Sequence, residues 1–278
     1  MADLFSVLRR HSVLTATSVI IAALSIPAYR DYQVFISYGP GGPPHNALGW
    51  FFSRFLATPF GQEMFSTAVY ERRILAGENT SYLNFVGGQL PQRDGETPAV
   101  GPHVVPQRQI DQISGRDIQK VRFGNFPTLI EITTDRENKQ DFVTAFYALA
   151  SKNSHIIKIA PSNAEKHSDA MWLLDNIPRA REAFQTGGEV AHIHETGDHS
   201  LHVVLSPADA KKVIEAGWGQ RHALSGWRPL GGRLEKIIDI PATYLLIYTP
   251  RTSEETEIVL EIVKATMRHM SIGAEVIS

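Results

Sequence analysis

Two β-rich runs, Val190–Glu195 and Ser200–Leu205, flank Thr196-Gly197-Asp198, and this pattern constrains the chain more than any other part of it. β-Branched and alternating residues on either side of a short glycine-containing turn specify an antiparallel hairpin. Ser206-Pro207-Ala208-Asp209 then supplies an N-cap, a proline at the first helical position and an acid in the first turn, and Gly217 offers a natural stop. Tyr244–Tyr248 reads as another strand. Thr252-Ser253-Glu254-Glu255 is a capping box opening a helix with Ile258, Val259, Ile262, Val263, Met267 and Met270 on one face. The order strand–strand–helix–strand–helix predicts an α+β fold, an antiparallel sheet with helices packed on one side.

The other end of the chain is different in kind. From His11 to Tyr29 there is no Asp, Glu, Lys or Arg; Arg9 and Arg10 precede the run and Arg30-Asp31 close it. About twenty apolar residues span a bilayer as a helix, so residues 1–30 are expected to form an N-terminal transmembrane anchor. A cleaved signal peptide is the main rival, but Ser25-Ile26-Pro27-Ala28 makes a poor cleavage site. A buried core helix is the plainer alternative. Basic residues flank both ends, which leaves orientation open. The expected location is a single-pass protein of the endoplasmic reticulum membrane.

Between these ends the signals are coarser. After the break Gly39-Pro40-Gly41-Gly42-Pro43-Pro44, helical stretches are expected over Asn46–Ala57 and Gln62–Arg73. Their aromatic stripe (Trp50, Phe51, Phe55, Phe65) is better suited to packing on the domain or a bilayer surface than to binding a cofactor. Residues 77–102 read as a long irregular connection, and His103–Gln109 as a strand. Pro127–Thr133 and Ile156–Ile159 suggest strands; Asp141–Ala150, Ala164–Leu174 and Arg179–Phe184 suggest helices. The expected division is thus an anchor (1–30), a helical and irregular connection (31–102) and an α+β catalytic domain (103–278).

The 278 residues carry a formal net charge of −2, which gives no reason to expect nucleic acid as a partner. Cys 0 excludes disulfides, thiol catalysis and thiolate-held metals. A metal would have to rest on His, Asp or Glu.

Histidines are where the chemistry concentrates. His192, His194, His199 and His202 fall within eleven residues of the hairpin. Alternation puts His192 and His194 on one strand face. A two-residue loop would bring His199 to that face and a three-residue loop, Thr196 to Asp198, would bring His202. Three imidazoles together suit a metal such as Zn, Fe, Mn or Cu, which makes His192, His194 and His202 an alternative ligand set. They equally suit general acid–base catalysis near neutral pH. A solvated polar sheet face is the plain alternative. Close behind comes Gly217-Trp218-Gly219-Gln220-Arg221-His222. Its glycines permit close backbone approach, Trp218 offers a stacking surface, and Arg221 and His222 offer donors to an anionic oxygen. Arg251 lies where a cation beside a helix start is electrostatically unfavourable, which favours a role in holding a carboxylate or enolate.

At these residues the chain resembles the fungal luciferases, which oxidise 3-hydroxyhispidin with molecular oxygen. The likeness is carried by Glu189-Val190-Ala191-His192-Ile193-His194, Leu201-His202, Gly217-Trp218-Gly219-Gln220-Arg221-His222 and Tyr248-Thr249-Pro250-Arg251, with a fainter echo in Arg30-Asp31-Tyr32-Gln33. Ala223 departs from the pattern at a position where proline is expected. The resemblance implies deprotonation of a 3-hydroxy-α-pyrone, addition of O2, closure to a peroxide and loss of carbon dioxide, with no cofactor beyond O2 as co-substrate. It also implies the small-molecule partner, a flat aromatic pyrone. On this reading one of His192, His194, His202 or His222 is the base, and Arg221 or Arg251 stabilises the enolate. Trp218, Gln220 and Tyr248 line the substrate pocket. His199 lies outside the family pattern, so the register exposing His202 is expected. Light emission is left open. A His-site metal-dependent hydrolase and a non-catalytic membrane-bound binder of aromatic ligands are the rival readings.

Overall fold

The computed structural model describes residues 2–85, 87–95, 97–110, 120–123, 126–129, 133–228 and 239–278. The chain opens with a 36-residue helix, α1 (Ala2–Ser37). Its stretch Leu14–Ser37 is long and apolar enough, by length and composition, to cross a membrane. Leu14, Ile20, Leu24 and Tyr29 are all exposed, whereas Phe35 and Tyr38 at the far end are buried. Asp31 explains the difference. It accepts a hydrogen bond from Trp50 Nε1 at 2.8 Å and lies 3.3 Å from His103 Nε2, tying the last turns of α1 to the domain.

A short helix α2 (Ala47–Phe51) follows, because the Asn46 side chain accepts the Leu48 and Gly49 amides. It runs on as a π-helical turn (Phe52–Ala57) and a 3-10 turn (Thr58–Phe60). The second expected helix starts late, as α3 (Ala68–Leu75). Before it, the Glu63 carboxylate accepts the Phe65 and Ser66 amides and holds residues 63–66 in a turn. Tyr70 on α3 is fully buried in the main core, so the segment 31–102 packs on the same core as the sheet.

His103–Gln109, expected as a strand, is irregular except at its end. β1 (Ala99–Val100) pairs antiparallel with β2 (Gln109–Ile110). Pro102 and Pro106 have no N–H to give a ladder. β3 (Lys120–Phe123) and β4 (Phe126–Leu129) form a separate antiparallel pair; the remainder of the expected strand Pro127–Thr133 runs through residues 130–132, outside those described, and on to Thr133, where a helix opens. That helix is α4 (Thr133–Lys152).

The six-stranded sheet has the order β5-β6-β7-β8-β10-β9, and every neighbouring pair is antiparallel. Its strands are β5 (Ile157–Pro161), β6 (Asp169–Leu173), β7 (Glu189–Ile193), β8 (Leu201–Val204), β9 (Gly219–Arg221) and β10 (Tyr244–Ile247). Helices α5 (Arg181–Gln185), α6 (Pro207–Glu215) and α7 (Ser253–Met270) complete the domain. This is the α+β architecture expected. One element is a correction: Ala164–Leu174, read as a helix, contains strand β6. Ala, Met and Leu favour helix locally, but pairing with β5 on one side and β7 on the other outweighs propensity.

Caps and glycines behave as their chemistry requires. Ser206 Oγ accepts the Asp209 amide and Thr252 Oγ1 the Glu255 amide. Ala191, Ile193, Leu201, Val203, Leu245 and Ile247 form one sheet face and share a core with Val259, Ile262, Val263 and Met267 of α7. Each of the larger aliphatic side chains among them contributes about 1.5–3 kcal/mol before entropy is counted. The opposite face carries histidines and is roofed by coil. Gly39, at φ +78°, passes so close that a Cβ there would meet the Thr196 carbonyl oxygen at 2.4 Å. Thr196 Oγ1 donates to Pro40 O at 2.9 Å, and the Gln109 amide to Asp198 Oδ2 at 2.7 Å.

Candidate active site

The hairpin register decides which histidines meet. Ile193 pairs with Leu201 and His192 with His202, so both imidazoles leave the same face of the sheet. His194, two residues on from His192, joins them. The ring centroids of His192, His194 and His202 lie 4.9–5.5 Å apart. His222, just past β9, brings a fourth ring 5.4 Å from His202, and Tyr244 stacks on His202 at 4.6 Å. All four histidines line a cavity of about 740 Å³, together with Tyr244, Glu165, Glu189, Gln107 and residues of the Gly42-Pro43-Pro44 loop. His199, at φ 63° in the turn, is not among the lining residues.

Hydrogen bonds fix the tautomers. His192 Nδ1 donates to Glu189 Oε1 at 2.7 Å. His194 Nδ1 donates to Ser200 Oγ at 2.9 Å, whose own proton goes to Asp198 Oδ1. His202 Nδ1 donates to the Leu245 carbonyl at 2.9 Å. A neutral imidazole with its proton on Nδ1 keeps a lone pair on Nε2. His222 is the reverse: its Nδ1 accepts the Leu224 amide at 3.1 Å, which leaves the proton on Nε2. With the three rings neutral, the cavity would receive three ring lone pairs and one ring N–H.

Burial sets the protonation states. It drives His202 well below the ordinary histidine value, helped by the neighbouring His192 and His222. His222 is lowered to about 4 by burial and by His192. Burial opposes ionisation of Glu189, but hydrogen bonds from His192, Ser162 Oγ and the Asn163 amide outweigh it and hold the carboxyl below its usual value. Glu165 goes the other way, raised by burial despite its ion pair with the buried Arg108. Burial also raises the Tyr244 hydroxyl well above its ordinary value, with Glu189 and Glu165 adding to the effect.

The remaining sequence candidates lie elsewhere. Adjacent strand residues face opposite ways. Arg221 pairs with Leu245 on the helix-covered side, where its guanidinium donates to Ser225 O at 3.0 Å and lies over the Tyr70 ring. Arg251 is bound by Glu255 and lines no part of the cavity. Trp218 is a core residue, its indole N–H donated to Pro91 O at 2.6 Å. Gln220 accepts the Tyr248 hydroxyl at 2.9 Å, and neither reaches the cavity. Thus neither arginine lines the cavity; Trp218 sits in the core, and Gln220, on the histidine face through its pairing with Leu246, lies with Tyr248 beyond the cavity lining. Glu165, Gln107 and Tyr244 escaped the sequence reading. The first two belong to distant coil, and Tyr244 reads in sequence only as an ordinary strand residue.

Comparison with known proteins agrees with the region the site occupies. A family model described as the luciferase domain matches residues 187–266. The luciferase of Armillaria mellea is 30% identical over 278 residues, covering 96% of this chain and 91% of that protein. That of Neonothopanus nambi is 29% identical, covering 94% and 88%. The luciferase of Armillaria gallica is 29% identical with similar coverage, 94% and 90%. No solved structure matches the chain. Full-length similarity at this level, with the matched domain containing all four clustered histidines, shows that the chain belongs to the fungal luciferase family.

Proposed function

We propose that this luciferase-family protein is an oxygen-dependent oxidoreductase acting on a 3-hydroxy-α-pyrone of the 3-hydroxyhispidin kind. The observation that carries the reading is the convergence of four buried imidazoles, from His192, His194, His202 and His222, on a cavity large enough for a flat two-ring molecule. One of His192, His194 or His202 takes the proton of the acidic 3-hydroxyl. The His222 Nε2–H donates to the oxygen left behind. Tyr244 and the proline-rich loop form apolar walls for the rings. The electron-rich enolate then adds O2, the peroxide closes on the lactone carbonyl, and carbon dioxide leaves.

A membrane location belongs to the same proposal. Its support is the exposed apolar run of α1 and, continuous with its docked end, the exposed Phe51, Phe55, Leu56 and Phe60. Those residues form a face suited to the interfacial region of a bilayer.

The test is oxygen uptake, carbon dioxide release and light on mixing the detergent-solubilised full chain with 3-hydroxyhispidin. Stoichiometric consumption of O2 supports the reading. Neither uptake nor product above background rejects this substrate.

A further inference from the structure

The geometry points to a binding site for one divalent first-row transition-metal ion held by His192, His194 and His202, with open coordination positions facing the cavity. Three observations converge on it. One ring nitrogen from each of the three lies within 4.8 Å of the others, and all three side chains are buried. Each ring gives its Nδ1 proton away from the cavity, to Glu189, to Ser200 or to the Leu245 carbonyl. That pattern, an outer acceptor fixing each ring so that the opposite nitrogen is basic, is how proteins prepare histidine ligands.

The third observation is electrostatic. Neutral, the three rings would aim their lone pairs at one small volume, an arrangement that an electron-poor ion relieves. His222 presents its N–H beside them, and Glu165 places Oε2 3.8 Å from His194 Nε2. Bond lengths of about 2.0–2.1 Å require ligand nitrogens about 3–3.5 Å apart, so binding would draw the rings closer together. Three neutral imidazoles select Zn, Cu, Fe or Ni over Mg or Ca.

The ion's open side faces the space where substrate would lie, so the ligand class that fits is a pair of adjacent oxygens, such as a hydroxyl beside a carbonyl. The family resemblance implies catalysis without a cofactor, and this inference departs from that expectation. It does not depend on the pyrone reading, because metal binding is measured without substrate.

The full chain in detergent, stripped with a chelator, is titrated with Co2+ by visible absorption and with Zn2+ by calorimetry. One equivalent is expected to bind. His194→Ala and His202→Ala should abolish binding, Glu189→Gln should weaken it about 10–100-fold, and His155→Ala on the surface should change nothing. Circular dichroism separates lost ligands from lost fold. Should the variants not fold, pulsed paramagnetic resonance on the Cu2+-loaded wild-type chain counts the coordinating imidazoles, with three expected. Absence of saturable binding, binding that survives His202→Ala in a folded variant, or fewer than three imidazoles on copper would overturn the assignment.

Discussion

The Glu189 carboxylate meets His192 Nδ1 at 2.7 Å although the two residues stand three apart in one strand. Strict alternation would put them on opposite faces. The register shifts between Met171 and Trp172: Ala191 pairs with Met171, but Trp172 pairs with Glu189, and Val190 is passed over. That one extra residue turns Glu189 to the histidine side. There it also accepts Ser162 Oγ and the Asn163 amide, joining the hairpin to the coil that roofs the cavity.

Glu189→Ala removes the acceptor of three donors, two of them buried, and each buried donor left unsatisfied costs about 1–3 kcal/mol. Urea unfolding should show a loss of several kcal/mol for Glu189→Ala and a smaller loss for Glu189→Gln, which retains one amide oxygen. Equal losses in the two variants would mean that the hydrogen bonds do not hold the site together.

His202 and His199 separate the cavity from the turn. His202→Ala should lower oxygen consumption at least about 100-fold, whereas His199→Ala should leave it near the wild-type value. Arg251→Ala should behave like His199→Ala. Arg221→Ala should instead lower the melting temperature, since its guanidinium is packed on Tyr70 and bonded to Ser225 O. A selective loss of turnover in Arg251→Ala would return that residue to the catalytic chemistry.

Stability at low pH should report on Glu182. Burial opposes its ionisation, but His269 and Arg73 lower its folded pKa to about 2 from a reference of 4.5. A depressed carboxyl stabilises the fold above its unfolded pKa, and that contribution disappears as pH falls from about 5 toward the folded value. The shift corresponds to something on the order of 3 kcal/mol. Denaturation midpoints of wild type and Glu182→Gln should differ at neutral pH and converge in strong acid. A gap that is constant with pH would exclude the ion-pair origin.

Membrane attachment should have two separable parts. Deleting residues 2–28 removes the exposed apolar run of α1 but leaves Asp31 bonded to Trp50. Such a chain should still bind vesicles through the Phe51, Phe55 and Phe60 face. Adding Phe51→Ser and Phe55→Ser should release it, with partitioning falling about 10-fold or more per phenylalanine. Complete release by the deletion alone would confine membrane contact to α1.

Much of this was legible in the residues themselves. The caps at Ser206 and Thr252, the hairpin around Gly197 and the apolar face of α7 are signals that act over a few positions. They hold wherever the segment sits. The strand in Ala164–Leu174 was not legible, because its residues prefer helix until β5 and β7 enclose them.

By itself the sequence determined the α+β order, the uncharged N-terminal run and the presence of clustered imidazoles, since composition and short-range periodicity suffice for these. The tertiary structure decided which side chains reach the cavity. Pairing parity sends neighbours Arg221 and His222 to opposite faces of the sheet, one skipped residue turns Glu189 inward, and Glu165 and Gln107 arrive from coil far away in the chain. Facing depends on register and on packing between distant segments, and neither is encoded within any single stretch.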